Sequence, residues 1–367
     1  MIKRILYLIN LGFAFLLLFS YATAYVPPTL APYLSLLSFL YPTLLFINII
    51  FIIIWLFTKW KYIIIPLIII LIRVSYIPTL LGLSSEKHRP AIENTDIKLL
   101  SYNICSFHYN TQWNESKDER TDSIYNFIKR LNPSIISFQD YNSKKGKKSF
   151  HSNLVNKLGY KYFYAAKNEK YIISGNIIYS KYPIVQSGVL FPTKKNSNKY
   201  IYSDIEINDQ TTIRVMNLHL ESYKLEEDDK EVFTKLKEGD IDPKIKEKGK
   251  PIIEKLIIAN KKRSEEVTEL KPLINESNLP TIVMGDFNDT PFSYTYKQLS
   301  TKLSDAFVGK GQGFGTTYNG DVPAYRIDYI FYDKEYFTVR SFEKEKLDYS
   351  DHYPVSTVLR LKPKTIN

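Results

Sequence analysis

The sequence predicts an α+β domain, a pair of β-sheets covered by helices, with three membrane-spanning helices in front of it. Three observations carry that expectation. The first 85 of the 367 residues hold none of the 38 acidic residues and only five basic ones, Lys3, Arg4, Lys59, Lys61 and Arg73. From residue 97 onward, short β-branched or aromatic runs alternate with amphipathic stretches, the mixture expected where helices pack on sheets. Several of those runs end in Asp, Asn or His, residues that a plain core strand does not need.

The apolar runs of the first segment cover residues 5–26, 36–57 and 62–81, each near the ~20 residues that cross a bilayer core as a helix. A signal peptide would account for the first run, with its small residues in "SYATAY", but not for the other two. Pro66 and Arg73 interrupt the third; Arg73 can snorkel or face the bundle interior. Basic residues flank the N-terminus and fill the "TKWK" link, while the "PPTLAP" link is uncharged. The positive-inside rule then sets the N-terminus in the cytoplasm. Three crossings predict a multi-pass protein of the inner (cytoplasmic) membrane, its C-terminal domain extracytoplasmic or periplasmic. Cys105 is the single cysteine, so no intrachain disulfide is available to report on compartment.

The expected organisation is a membrane domain at 1–85, a polar linker at 86–96 ("EKHRPAIENTD") and a globular domain at 97–364 with a net charge of about +6. Expected strands include "IKLLSYNI", "SIISF", "KYFYAA", "NIIYS", "YIYSDIEI", "TTIRVMNLHL", "PTIVMGDF", "RIDYIFYD", "TVRSFEK" and "VSTVLRL". Expected helices are 123–131, 150–158, 251–274 and 292–300. The third carries Ile253, Leu256, Ile257, Val267 and Leu270 at helical spacing. Residues 221–250, dense in both charges, read as an exposed helical excursion with a solvated face.

The strand ends carry the chemistry. They present Asn103, Gln139 and Asp140, Asn217 and His219, Asp286 and Asn288, Asp328, then Asp351 and His352. Strand ends gathered at one sheet edge form a cleft on which polar side chains converge. Carboxylates and amide oxygens suit a hard divalent cation such as Mg²⁺ or Mn²⁺ rather than a structural zinc. Histidines beside aspartates suit charge stabilisation and proton transfer. Each position also has a plainer reading. Asp286 and Asn288 can form an Asx turn and cap a helix near Pro291. Asp328 can be the buried partner of an arginine, His219 a satisfied core histidine, Asn103 a turn residue and Asp140 a helix cap. Six strand ends would then need six unrelated explanations.

In order along residues 97–362, "SYNI", "SFQDY", "GNIIYSKYPI", "NLHLES", "GDFNDTP", "RIDYIF" and "SDHYPV" resemble the endonuclease/exonuclease/phosphatase superfamily, the DNase I-like fold. With its N-terminal apolar trio, the chain looks like membrane-anchored members common in Bacteroidota. The resemblance implies a four-layer α/β/β/α sandwich and a metal-dependent phosphoesterase. It implies that Asp286 activates or orients the attacking water and that Asn288 holds that water or a phosphate oxygen. His352, partnered by Asp328, would face the developing phosphorane as a cation, and His219 would contact the phosphate as a general acid. Asn103, Asp140 and Asp351 would form the environment of Mg²⁺ or Mn²⁺. "FQD" departs from the family's Gln-Glu, and an Asp ends one C–C bond, about 1.5 Å, short of a Glu. That departure bears on metal affinity.

Three functional readings follow, two of them differing in substrate. A nuclease-like activity on nucleic acid comes first, with lysines such as those of "SKKGKKSFHSN" (143–153) permitting backbone contact. The alternative is a sphingomyelinase- or inositol-phosphatase-like enzyme acting on phospholipid head groups, concentrated on its substrate by the bilayer. The aromatics of "FGTTYNGDVPAY" (314–325) would line its cleft. A catalytically silent, membrane-tethered binding protein is the third, and the near-complete catalytic set argues against it.

Overall fold

The computed structural model describes residues 1–85, 93, 95–107, 117–191, 200–239, 243–320 and 325–363. Most of the expected linker (86–92 and 94), residues 240–242 of the charged stretch and 321–324 of the aromatic one lie outside the described residues. The chain forms two compact units, each discontinuous in sequence. One comprises Met1–Leu81, Glu221–Lys271 and Asp289–Leu299; the other comprises Gly82–Leu220, Pro272–Asn288 and Ser300–Asn367.

The strands run, in chain order, β1 Leu81–Leu83, at the boundary of the two units, and then, in the second unit, β2 Asp96–Asn103, β3 Ile135–Lys144, β4 Tyr162–Asn168, β5 Ile172–Ser180, β6 Ile184–Val189 and β7 Tyr200–Asn208. They continue as β8 Thr211–His219, β9 Thr281–Asp286, β10 Ser304–Asp305, β11 Gln312–Phe314, β12 Asp328–Tyr332, β13 Phe337–Lys344 and β14 Val355–Leu361. Strands β1 and β11 form a small ribbon. The rest make two six-stranded sheets, ordered β10-β12-β9-β8-β7-β6 and β13-β14-β2-β3-β5-β4.

Period-two alternation explains how these sheets pack. On β2, Ile97 and Leu99 face the core between the sheets, together with Ile135, Ile178, Val215, Ile282, Met284 and Ile330. Their neighbours Leu100 and Tyr102 turn to the opposite face. There they meet Ile136, Ile177 and Tyr179, covered by Ile124, Phe127 and Ile128 of the helix Lys117–Leu131 and by Leu154 of Phe150–Lys157. Apolar residues on both faces are what a sheet buried between a second sheet and a helix layer requires. The fold is therefore mixed α/β with two packed sheets, as expected. Strand β6, whose "IVQSGV" is only partly buried, was not among the expected strands.

The first unit contains the helices Ile2–Ala22 and Leu37–Thr58, both long and apolar enough to cross a membrane. The third apolar run is not one straight helix: Trp60–Ile72 and Val74–Leu80 meet at a 58° bend around Arg73. The count of such spans is thus two, or three if the bent pair is one. Ala14, Leu17, Tyr21, Tyr41, Leu44, Leu45 and Ile69 pack their shared core, and the Trp55 indole donates to Asn10 Oδ1 at 3.0 Å. The charged stretch supplies the helix Glu227–Lys237 and the start of Pro243–Asn275, which begins eight residues earlier than expected and runs straight through Pro251. Proline suits a first helical position as well as an interrupted interior, so its presence misplaces that start.

Candidate active site

Strand register assembles the site. Parallel neighbours β8 and β9 end with His219 opposite Asp286, and Asp328 at the start of antiparallel β12 also lies opposite Asp286. Three ionisable side chains thus share one row across three strands. Gly285 makes the row possible: a Cβ at this position would stand 1.9 Å from the Leu218 carbonyl oxygen, and its φ of +146° disfavours any side chain. From the other sheet, Asn103 ends β2 opposite Gln139 and donates through Nδ2 to Asp286 Oδ2 at 3.0 Å.

Asp286 uses its two oxygens differently. Oδ1 accepts the Asn288 amide at 2.8 Å, so the Asx turn that the sequence allowed is present. Oδ2 faces a ring of donors: Asn103 Nδ2, Asn288 Nδ2 at 3.3 Å, and the Nε2 atoms of His219 and His352, each at 3.6 Å. Asn288 has a φ of +50° and also donates to the Leu220 carbonyl at 3.1 Å. Asp328 grips the far side of His352, its Oδ2 2.9 Å from Nδ1. The alternative reading of Asp328 as an arginine's partner fails, because Arg326 pairs with Asp305 at 2.5 Å.

Burial and charge tune these groups. Burial pushes the Asp286 carboxyl above its ordinary value; the His352 and His219 rings and Asn103 pull it back, while Asp328 adds to the rise. Burial alone would lower His352, but the carboxylates of Asp328 and Asp286 outweigh it and hold the imidazole well above 6.5. The site therefore holds an imidazolium beside a buried carboxylate. Phosphoryl transfer calls for that pairing, since charge spreads over the non-bridging oxygens.

Asp140 lies in the left-handed region at φ +47°, where the β3–β5 register shifts between Phe138 and Tyr141. A bulge of this kind re-aims a side chain. The half-exposed Asp140 carboxylate accordingly stands 3.3 Å from His219 Nδ1, opposite the nitrogen that faces Asp286. Asp351 accepts from the Ser350 hydroxyl at 3.3 Å; that hydroxyl also donates to the Asn103 carbonyl at 2.7 Å and accepts the His352 amide at 3.2 Å. All eight expected residues belong to the second unit. Among the described residues, the acidic and imidazole groups whose ligand atoms lie within 4.8 Å of one another, and could hold a metal, are Asp286, Asp328 and His352. This set differs from Asn103, Asp140 and Asp351, implied by the resemblance. The oxygen donors of both sets suit a divalent cation of the Mg²⁺ or Mn²⁺ type, whereas His352, held as an imidazolium, has no lone pair free to ligate one.

Of the supporting residues, Gln139 and Asn217 stood among the polar strand ends and Tyr318 among the aromatics of 314–325, whereas Asn176 and Thr317 were not singled out from the sequence. Asn176, fully buried, donates to the Asn217 carbonyl at 3.3 Å. Asn217 in turn accepts from Gln139 Nε2 at 2.7 Å and donates across to the Phe138 and Ile177 carbonyls at 2.8 and 3.0 Å. These amides lace the two sheets together beneath the site. The Thr317 hydroxyl accepts the amides of Ile327 and Asp328 at 3.0 and 3.1 Å, and the Tyr318 ring meets His352 edge-on at 5.4 Å. A buried polar residue inside an apolar run, as in "GNIIYS", was the available signal for Asn176.

Two packed sheets with a His–Asp pair against a second buried aspartate at the strand ends define a hydrolase of phosphate esters. Residues 100–352 match the Endonuclease/Exonuclease/phosphatase family, and the chain belongs to that family. Residues 3–80 match a second family, a domain of unknown function designated DUF8431. No curated protein matches the sequence. Among solved structures, the human Nocturnin catalytic domain with bound sulfate is similar at 18% identity and a TM-score of 0.50, over 74% of this chain and 95% of that one. The D. rerio TDP2 complex with a single-strand DNA product is similar at 16% identity and a TM-score of 0.50, over 72% and 99%. At these identities the likeness concerns the fold.

Proposed function

We propose that the protein is a membrane-anchored, divalent-metal-dependent phosphodiesterase of nuclease-like activity. The observation that carries this reading is the single carboxylate oxygen, Asp286 Oδ2, facing two imidazoles and two amides, with one imidazole charged by Asp328. In this mechanism Asp286 orients a water and takes its proton, and Asn288 helps fix that water or a phosphate oxygen. His352, kept cationic by Asp328, donates from Nε2 to a non-bridging oxygen as charge develops there. His219, oriented through Nδ1 by Asp140, delivers a proton to the leaving oxygen. Asn103, Asp140 and Asp351 would hold the ion, Mg²⁺ or Mn²⁺, which when bound supplies positive charge to the phosphate.

The relative crystallised with a single-strand DNA product and the net charge of about +6 outside the apolar segment favour a nucleic-acid substrate. Phospholipid head groups are the alternative, favoured by the apolar helices. The deciding experiment uses the full chain in detergent micelles with Mg²⁺ or Mn²⁺. Plasmid DNA, single-stranded DNA, sphingomyelin, phosphoinositides and bis(4-nitrophenyl) phosphate are compared as substrates. Preferred cleavage of DNA supports the reading; turnover of lipid alone replaces it with the alternative, and no turnover of any ester refutes both. Asp286→Asn should abolish turnover.

In the same reading the apolar helices cross the inner membrane three times and set the catalytic unit on the periplasmic side, as the basic residues at 3, 4, 59 and 61 suggest. A phosphatase reporter fused after Asn367 should be active only on the exported side. Cytoplasmic reporter activity would refute three crossings and favour two.

A further inference from the structure

Arg263, on the helix Pro243–Asn275, has no exposed side-chain surface. A charge so buried is costly unless its donors meet acceptors. Nη1 donates to the Glu221 carbonyl at 2.7 Å, Nη2 to the Tyr223 hydroxyl at 2.7 Å and to Asn260 Oδ1, and Nε lies 3.4 Å from Asp289 Oδ2. The Tyr223 ring lies 4.3 Å from the guanidinium. Two of these partners, the hydrogen-bonded Glu221 carbonyl and the ion-paired Asp289 carboxylate, fall at telling places in the chain. Glu221 follows His219 by two residues, and Asp289 is bonded to Asn288. The Glu221 amide is fixed as well, donating to Glu266 Oε2 at 2.9 Å.

The same unit ties this arginine to the apolar helices. Asn260 Nδ2 donates to the Ser35 hydroxyl at 2.8 Å, in the short helix between the two long ones. Past Asp289, the Thr290 hydroxyl donates to the Ser38 carbonyl at 3.4 Å and the Thr23 hydroxyl to the Phe292 carbonyl at 2.8 Å. The buried Phe292 ring lies 4.0 Å from the Tyr41 ring, tilted 34° to it. No catalytic role assigned above uses any of these groups.

We propose that Arg263, together with Asp289–Leu299 docked on the N-terminal helices, is a positioning device that fixes the chain leaving His219 and the chain leaving Asn288. The physical reason is tolerance: a misplacement of about 1 Å at reacting groups costs on the order of 100-fold in rate. The planar guanidinium serves several acceptors at once, which a lysine ammonium cannot reproduce. The inference rests on the phosphoesterase reading for its kinetic arm only.

The test uses the full-length protein in micelles with Mn²⁺ and bis(4-nitrophenyl) phosphate. The variants are Arg263→Met, Arg263→Lys, Asp289→Asn and Tyr223→Phe, with kcat expressed per folded molecule. Arg263→Met is expected to lower kcat about 30- to 100-fold with KM within about twofold, and Arg263→Lys to regain only a few-fold. Hydrogen exchange at peptides covering 219–221 and 286–289 needs no substrate, and it should quicken about tenfold in Arg263→Met while the rest of the catalytic unit is unchanged. A kcat within twofold of wild type, full rescue by Arg263→Lys, or unchanged local exchange would overturn the proposal. Should Arg263→Met not fold, wild-type kcat and exchange in both Asp289→Asn and Tyr223→Phe would overturn it equally. Asp286→Asn separates the readings: loss of turnover there with wild-type behaviour in the Arg263 series condemns positioning alone. Absent turnover in wild type with quickened exchange in Arg263→Met condemns only the phosphoesterase reading.

Discussion

Replacing Asp328 by Asn removes the charge that sits 2.9 Å from His352 Nδ1 in a site where both side chains are almost wholly buried. At an effective dielectric of about 20, two unit charges at that separation attract by roughly 6 kcal/mol before any desolvation cost is counted. That attraction is what lets His352 stay protonated despite its burial. Without it, only Asp286 and the weaker Asp351 oppose the lowering by burial, and the imidazole falls from its raised position toward or below its ordinary value. The rate deficit of Asp328→Asn from lost protonation should therefore widen between pH 6 and pH 8, by up to about tenfold per pH unit as the variant loses the proton that the wild type holds. The assay is kcat against pH on a generic diester at saturating Mn²⁺, wild type and variant side by side. A deficit that is the same within twofold at both pH values would refute the claim that Asp328 acts by holding the His352 charge. Stability follows the same sign: because the folded value is raised, the pair's contribution is full below 6.5 and is lost as pH rises through the folded value. Asp328→Asn should cost about 3–5 kcal/mol at pH 6 and less at alkaline pH.

Gly285→Ala should destabilise the catalytic unit by about 3 kcal/mol or more, since the new methyl would meet the Leu218 carbonyl oxygen at 1.9 Å; an unfolding midpoint within 2 °C of wild type would contradict the close approach of β8 and β9. Asp140→Glu should lower the Mn²⁺ concentration needed for half-maximal rate about threefold or more, and Asp140→Ala should raise it; metal titrations of kcat identical in all three proteins would remove Asp140 from the metal environment. Asp96 gives a pH test away from the site. Burial alone would raise its carboxyl, but the Arg360 fork at 2.8 and 3.0 Å and the Glu93 amide hold it below the ordinary value. Its stabilisation is present above the ordinary carboxylate range and fades as pH falls through the lowered folded value. The gap in unfolding midpoint between wild type and Asp96→Asn should accordingly close on acidification, and a gap independent of pH would contradict the pairing.

The sheet core was readable residue by residue because alternation is a local property. Ile97 and Leu99 against Leu100 and Tyr102 already state which face meets which layer. The row of His219, Asp286 and Asp328 was readable as a set of strand ends, though not as a register, which depends on strand order. Asp140 was legible as a candidate, but its left-handed turn comes from a bulge that no periodicity announces. The charged stretch at 221–250, read as an exposed helical excursion with a solvated face, also has an apolar face: its Val232 buries with Ile252 of the following helix, against Leu225, Phe233 and Leu256. Arg263 was not singled out from the sequence, because its partners at Glu221 and Asp289 lie far from it and from each other along the chain. Non-local satisfaction of a polar group leaves no local pattern.

The hydrogen bond between Thr23 and Phe292 spans 269 residues of chain. During synthesis the first apolar helices leave the ribosome long before their partners Glu221–Lys271 and Asp289–Leu299 exist. Domains usually complete themselves as they emerge, and closing so long a loop is slow. The N-terminal helices can meet one another through Tyr21, Tyr41 and Tyr76 as they emerge, but Phe292 reaches Tyr41 only after most of the chain has been made. The first unit is thus the first begun and among the last completed.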